Sequence, residues 1–245
     1  MRLAVIADVH GNRLALAAVL EAIAAAAPDL VIELGDAVSG PLWPAETLAM
    51  LDALEAVALR GNHDRWAAAE SPEGLGAADA FAWRKLSATQ RAALMARPVL
   101  WRDAGILAAH ALPDDDLTNL LHEVTETGVR ARHPKAVAAL LPPPAGETLV
   151  LTAHTHRPGM AALPDGRLVV NPGSVGQPAF AAERPHPHRT EAGAPHARFA
   201  LLEHTRGEWR VAFHAISYDW HAAAAEAARH GRDDWAHALT HGTLS

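Results

Sequence analysis

Leu3-Ala4-Val5-Ile6-Ala7-Asp8-Val9-His10-Gly11-Asn12 is the stretch whose reading decides the fold. Five apolar residues in unbroken succession describe a β-strand buried on both faces, since a half-exposed strand would alternate apolar and polar. The run ends in an acid, then an imidazole two positions on, then Gly11. Arg13 to Ala27 follows as an Ala/Leu-rich helix that stops at Pro28. The same grammar then repeats. Leu30 to Leu34 reads as a second buried strand closed by Gly35-Asp36, and Pro44 to Ala56 as a helix. Val57 to Leu59 reads as a third strand, running into Gly61-Asn62-His63-Asp64.

Further along, the pattern predicts helices over Ala77 to Lys85 and Thr89 to Ala96, and strands over Val99 to Trp101 and Ile106 to Ala109. A polar stretch leads to a helix near Lys135 to Leu141. Strands are then expected at Thr148 to Thr152, Met160 to Leu163, Leu168 to Val170, Arg198 to Leu202 and Trp209 to Phe213. Apolar strands between helices predict an α/β fold whose sheets are covered on both faces. The later strands lack intervening helices and predict a more antiparallel second sheet. Residues 1–217 form the main domain in this reading. Residues 218–245, rich in Ala and His, form a helical tail packed on that domain or extending from it. Glu183 to His196 is rich in Pro, His, Arg and Gly and reads as a surface loop.

Composition removes several classes. The 245 residues contain no Cys, so disulfides and thiolate metal sites are excluded and any metal takes nitrogen and oxygen ligands. A formal net charge of -7 argues against general nucleic-acid binding, which calls for a basic stripe. No apolar run approaches the length of a membrane span. The opening apolar segment is short and passes directly into Asp8-Val9-His10 without a small-residue cleavage site, so a cytoplasmic location is expected.

The residues suited to metal chemistry fall at strand ends: Asp8 and His10, Asp36, Asn62 with His63 and Asp64, His110, and His154 with His156. In α/β sheets, binding crevices lie beyond the carboxyl ends of strands, so these five segments converge on one edge. Read as extended chain, residues two apart point the same way, and each of the pairs Asp8/His10 and His154/His156 presents itself to one cavity. Carboxylate, imidazole and amide oxygen suit Mn, Fe, Zn, Ni or Mg. Asp64 either orients His63 or caps the following helix.

These motifs, in this order, resemble those of the calcineurin-like metallophosphoesterase superfamily. Asn171-Pro172-Gly173-Ser174-Val175-Gly176-Gln177-Pro178 resembles its small bacterial branch of predicted phosphodiesterases. The resemblance runs from residue 1 to about residue 203. It implies a two-sheet β-sandwich flanked by helices in four αββα layers. It also implies a binuclear centre of two divalent ions, Mn foremost, with Asp8, His10 and His156 on the first ion. Asn62, His110 and His154 would hold the second, and Asp36 would bridge. The implied activity is hydrolysis of a phosphate ester, a diester in preference, by metal-activated hydroxide with His63 as general acid and Asp64 beside it. The implied substrate is a small-molecule or nucleotide-like phosphate ester.

Departures from the family pattern are informative. Ala111 follows His110 and Ala153 precedes His154 where the family usually has Gly. Asp36 is followed by Ala37-Val38-Ser39-Gly40-Pro41, whereas the protein-phosphatase branch has Asp-Arg-Gly. The missing Arg weighs against the alternative of a protein phosphatase; a phosphomonoesterase is a further alternative, less favoured because the resemblance is to the phosphodiesterase branch. A non-catalytic scaffold, for which a retromer subunit with this fold is the precedent, is the remaining alternative, and the full ligand set weighs against it. Arg157, next to the second His pair, is a candidate phosphate ligand. Asn171 to Ser174 reads as a turn beside the metals. Asp114, Asp115 and Asp116 read as a loop or helix N-terminus, His186, His188 and His196 as solvated, and Trp43, Trp66, Trp83 and Trp101 as packing residues.

Overall fold

The computed structural model describes residues 1–245. The first sheet-forming region contains β1 (Arg2–Ile6), α1 (Arg13–Ala26), β2 (Leu30–Glu33), α2 (Pro44–Asp52) and β3 (Ala56–Ala58). Three helices follow: α3 (Asn62–Ala67), α4 (Ala77–Lys85) and α5 (Ala88–Met95). The next region holds β4 (Leu100–Asp103), β5 (Ile106–Ala109), β6 (His122–Thr125), β7 (Gly128–Ala131), α6 (Pro134–Ala139), β8 (Leu149–Leu151), β9 (Gly159–Ala162) and β10 (Leu168–Asn171). The chain closes with β11 (Ala179–Ala182), β12 (His188–Glu191), β13 (Ala197–Thr205), β14 (Glu208–Ile216), α7 (Trp220–Arg229) and α8 (Asp233–His241).

Two five-stranded sheets stack face to face, in the orders β14-β13-β1-β2-β3 and β4-β5-β8-β10-β9. The unbroken apolar runs are explained by their two buried faces. In β1, Leu3 and Val5 point between the sheets, where they meet Ile106, Ala108, Leu149, Leu151 and Val170. Ala4 and Ile6 point the other way, onto Leu16, Val19 and Ile23 of α1. On the far side of the second sheet, Leu107, Val150 and Val169 pack with Leu120, Leu121 and Val137 of the covering segment and α6. The result is four layers, helix, sheet, sheet and helix.

The expected difference between the sheets is not found. Each has a parallel part, β1-β2-β3 in one and β5-β8-β10 in the other; antiparallel strands flank it on one side in the first sheet, where β3 is a parallel edge, and on both sides in the second. The long antiparallel pair β13/β14 joins the first sheet, because β13 lies against β1. Helix α2 ends at Asp52 rather than Ala56, and the chain is extended by Ala56 to pair with Val31. Two hairpins were not anticipated. β6/β7 lies in the polar stretch, and β11/β12 takes in part of the Pro/His-rich segment. Their strands are only four residues long and hold at most one large apolar residue each, too few to show a periodicity. Helices α7 and α8 pack on each other and on Leu42, through Ala223, Ala224, Ala227, Trp235 and Leu239.

Candidate metal centre

The parallel strands of both sheets end at one place. Asp8 and His10 follow β1, Asp36 follows β2, Asn62 opens α3 after β3, His110 follows β5, and His154 and His156 follow β8. Two clusters result. Asp8, His10 and His156 form one, and Asp36, His110 and His154 the other, with the candidate ligand atoms of each within 4.8 Å of one another. The extended-chain reading of the pairs is corrected here. Asp8, His10, Asp36, His154 and His156 all have positive φ, between 50° and 68°. This left-handed conformation is uncommon outside Gly and concentrates at functional sites. It turns His154 and His156 into different clusters.

The close approach behind Asp36 demands two glycines. A Cβ on Gly61 would lie 2.2 Å from Asp36 Oδ1, and one on Gly35 would lie 2.4 Å from the Gly61 nitrogen.

Four imidazoles are oriented in the same way. His10 Nδ1 faces the Ser39 carbonyl at 2.8 Å and His110 Nδ1 faces that of Leu34 at 2.9 Å. His156 Nδ1 faces Gln177 at 2.8 Å, and His154 Nε2 faces Leu117 at 3.0 Å. A carbonyl only accepts, so each of these nitrogens carries the proton and the other nitrogen offers its lone pair to the centre. His10 Nε2 and His156 Nε2 then meet at 3.1 Å. The Asn62 amide oxygen lies 3.1 Å from His110 Nε2 and 3.0 Å from His154 Nδ1. Both oxygens of Asp8 and Oδ2 of Asp36 are buried without a hydrogen-bond partner. Acceptors converging on acceptors in a buried site are costly unless a cation lies among them. The donor set therefore fits divalent metal.

The electrostatics agree at His10 and His154; at His110 burial would lower the imidazole, but Asp36 prevails and raises it to about 10, so a cation bound there would displace that proton. Burial lowers the imidazoles of His10 and His154 to about 4, which leaves them neutral at physiological pH, as metal binding requires. Burial, reinforced by Asp36, raises the Asp8 carboxyl well above its ordinary range. Burial would also raise Asp36, but His110 and His63 outweigh it and hold Asp36 ionised.

His63 stands at the cavity side with 30% of its side chain exposed. Its Nδ1 lies 2.7 Å from Asp79 Oδ1, and that same oxygen accepts from Ser39 Oγ at 2.7 Å. Burial would lower this imidazole; Asp36 and the Asp79 hydrogen bond prevail and raise it to about 9. Asp64 does not orient it. Its carboxylate accepts from the backbone nitrogens of Asp36 and Ala37 at 2.8 Å and Gly61 at 3.0 Å, tying the β2 loop to the start of α3. The partner missed in sequence is Asp79, in the first turn of α4, where an acid is unremarkable.

The turn at Asn171 supports the floor of the site. Asn171 Nδ2 donates to the Ala153 carbonyl and Thr155 Oγ1, and Ser174 Oγ donates to the Asp8 carbonyl. A cavity of about 1220 Å³ opens over the centre. Trp66, Trp235, Phe180, His122, Arg132 and His188 line it, with both hairpins as walls. Glu183, Arg184, Pro185, His188 and Thr190 of the Pro/His-rich segment are thus cavity wall. Trp66 packs edge-on to His63 at 4.7 Å. Arg157 is half-buried outside the cavity lining, with its Nε buried and unpartnered. Asp116 pairs with Arg65, and Asp115 with Thr118.

The sequence model of the calcineurin-like phosphoesterase superfamily domain matches residues 1–188. The chain belongs to that superfamily. As a phosphoesterase-superfamily hydrolase it acts on phosphate esters. Among solved structures, a metallophosphoesterase from Sphaerobacter thermophilus is 25% identical, with 99% of this chain and 100% of that one covered and a TM-score of 0.75. A hypothetical protein from Pyrococcus horikoshii is 21% identical, with 100% and 99% covered and a TM-score of 0.76, and shares the fold. Curated proteins yielded no match. In this phosphoesterase the two His/Asp clusters are consistent with a binuclear metal site. No helix is long and apolar enough to cross a membrane.

Proposed function

We propose that the chain is a binuclear metal-dependent phosphodiesterase, with Mn²⁺ as the working metal. Asp8, His10 and His156 would hold one ion, Asn62, His110 and His154 the other, and Asp36 would lie between them. The observation that carries this reading is the convergence of four imidazole lone pairs and three unpartnered carboxylate oxygens in one buried place. When bound, paired divalent ions neutralise phosphate charge and lower the pKa of bound water.

The protein's own part is positional and protic. Asp79, itself held by the Ser39 hydroxyl, holds His63 by Nδ1, which leaves Nε2 to carry a proton toward the departing ester oxygen. With its pKa raised, His63 is protonated at neutral pH and loses this role only as pH rises past it. A cation on Asp36 would weaken the pull of that carboxylate and bring His63 closer to its ordinary range. Asp64 acts by fixing the Asp36 loop. Arg157 is assigned a subsidiary part, since its Nε would reach a phosphate only if the side chain moved into the cavity.

The cavity favours a diester. At about 1220 Å³ it exceeds the roughly 300–1,000 Å³ of ordinary small-ligand sites, leaving room for groups on both sides of a phosphate. The substrate class is a small-molecule or nucleotide-like diester. The test is hydrolysis of bis-para-nitrophenyl phosphate and para-nitrophenyl phosphate, after EDTA stripping and again with Mn²⁺ restored. Metal-dependent cleavage of the diester is expected. Cleavage of the monoester alone would transfer the assignment to a phosphatase, and metal uptake with neither activity would favour a scaffold.

A further inference from the structure

Helix α8 lies beyond the residues matched by the superfamily domain, yet it reaches the centre. Trp235 is 6% exposed, lines the cavity, and sets its ring edge-on to His10 with centroids 6.2 Å apart. Beneath the indole is Gly40. A Cβ there would lie 3.0 and 3.2 Å from the Trp235 ring and 2.5 Å from the His10 carbonyl oxygen. The absence of a side chain thus lets the indole press directly on the backbone of the 38–43 loop.

That loop is where the two halves of the chemistry are held. Ser39, next to Gly40 and fully buried, uses its carbonyl to fix His10 Nδ1 at 2.8 Å. Its hydroxyl donates to Asp79 Oδ1, the oxygen that also holds His63. Two residues after Gly40, Leu42 is buried with Trp235 and Leu239. At its far end, the segment after α8 is joined to the hairpin wall: Gly193 N donates to the Gly242 carbonyl at 2.9 Å, and Leu244 N to Glu191 Oε1 at 2.8 Å.

We propose that Trp235 is a positioning residue: it clamps Gly40 so that Ser39 holds His10 and, through Asp79, His63 in register. The reading of His63 as proton donor rests on the proposed function; the clamp itself does not. Outer groups that orient first-contact residues typically matter by about 10- to 100-fold in activity or metal affinity.

The experiment compares full-length wild type, W235F and W235A, with W235L, which keeps apolar volume on Leu42, replacing W235A if that variant does not fold. Hydrogen exchange read by mass spectrometry is the first measurement. In W235A, peptides covering residues 38–43 should exchange at least about tenfold faster while those covering β5 and β8 hold, and W235F should stay near wild type. Unchanged exchange over 38–43 overturns the clamp. The second measurement uses the Mn²⁺-loaded proteins on bis-para-nitrophenyl phosphate and on diphenyl phosphate, whose phenol leaves less readily. W235A should lose at least about tenfold in kcat on diphenyl phosphate and under about threefold on the nitrophenyl ester, with KM unchanged and W235F restoring the rate. Equal losses on both esters overturn the link to His63. If wild type cleaves neither ester, the proposed function fails, and the exchange measurement alone decides the clamp.

Discussion

The floor and the rim of the cavity are made of different material. The floor residues follow parallel strands, are buried to within a few per cent save the half-buried His154, and are held by backbone carbonyls and nitrogens. The rim is built from two isolated two-stranded hairpins and the loop before β6, with mostly half-buried or exposed side chains and Leu117 50% exposed. A packed interior does not yield to small changes, whereas a hairpin outside the main sheets has little to resist them. The difference teaches that substitutions in the floor act on metal and rate, and substitutions in the rim on substrate affinity.

The sharpest way to break this contrast is Asp36→Asn. As the carboxylate proposed to lie between the two ions, Asp36 should on its loss release both metal ions together. Metal content by plasma mass spectrometry checks this; a count equal to wild type would end the bridging assignment. Next in size, His63→Ala should keep its metals and lose about 10²- to 10⁴-fold in turnover of diphenyl phosphate. Asp79→Asn should lose about 10- to 100-fold on the same ester, with metal content intact. Full activity in either variant on that ester would remove the pair from the mechanism. The smallest effect is expected at the rim. Leu117→Ala removes apolar surface worth under about 1 kcal/mol and should raise KM by about twofold to fivefold with kcat unchanged. A change in kcat or metal content there would erase the distinction between floor and rim.

Much of the floor was legible in the chain. An apolar run that ends in Asp-Val-His-Gly states locally that a buried strand stops and turns, and five such endings point at one sheet edge. Asp64 was only half legible. Its place three residues after Gly61 allowed a helix cap or a partner for His63, and only the position of the β2 loop above it distinguishes the two. The 183–196 segment read as solvated because proline, histidine and arginine hide a four-residue strand that pairs only with β11.

The sequence by itself determined the class of fold, the nitrogen and oxygen ligand set and the superfamily, because these rest on neighbours in the chain: hydrophobic runs, turn residues and short motifs. Tertiary structure alone decided which histidines share a cluster, that Asp79 rather than Asp64 holds His63, and that Trp235 reaches Gly40. Those contacts join residues 16 and nearly 200 positions apart, and no local pattern encodes how one helix settles against a distant loop. They are set by packing of the whole core.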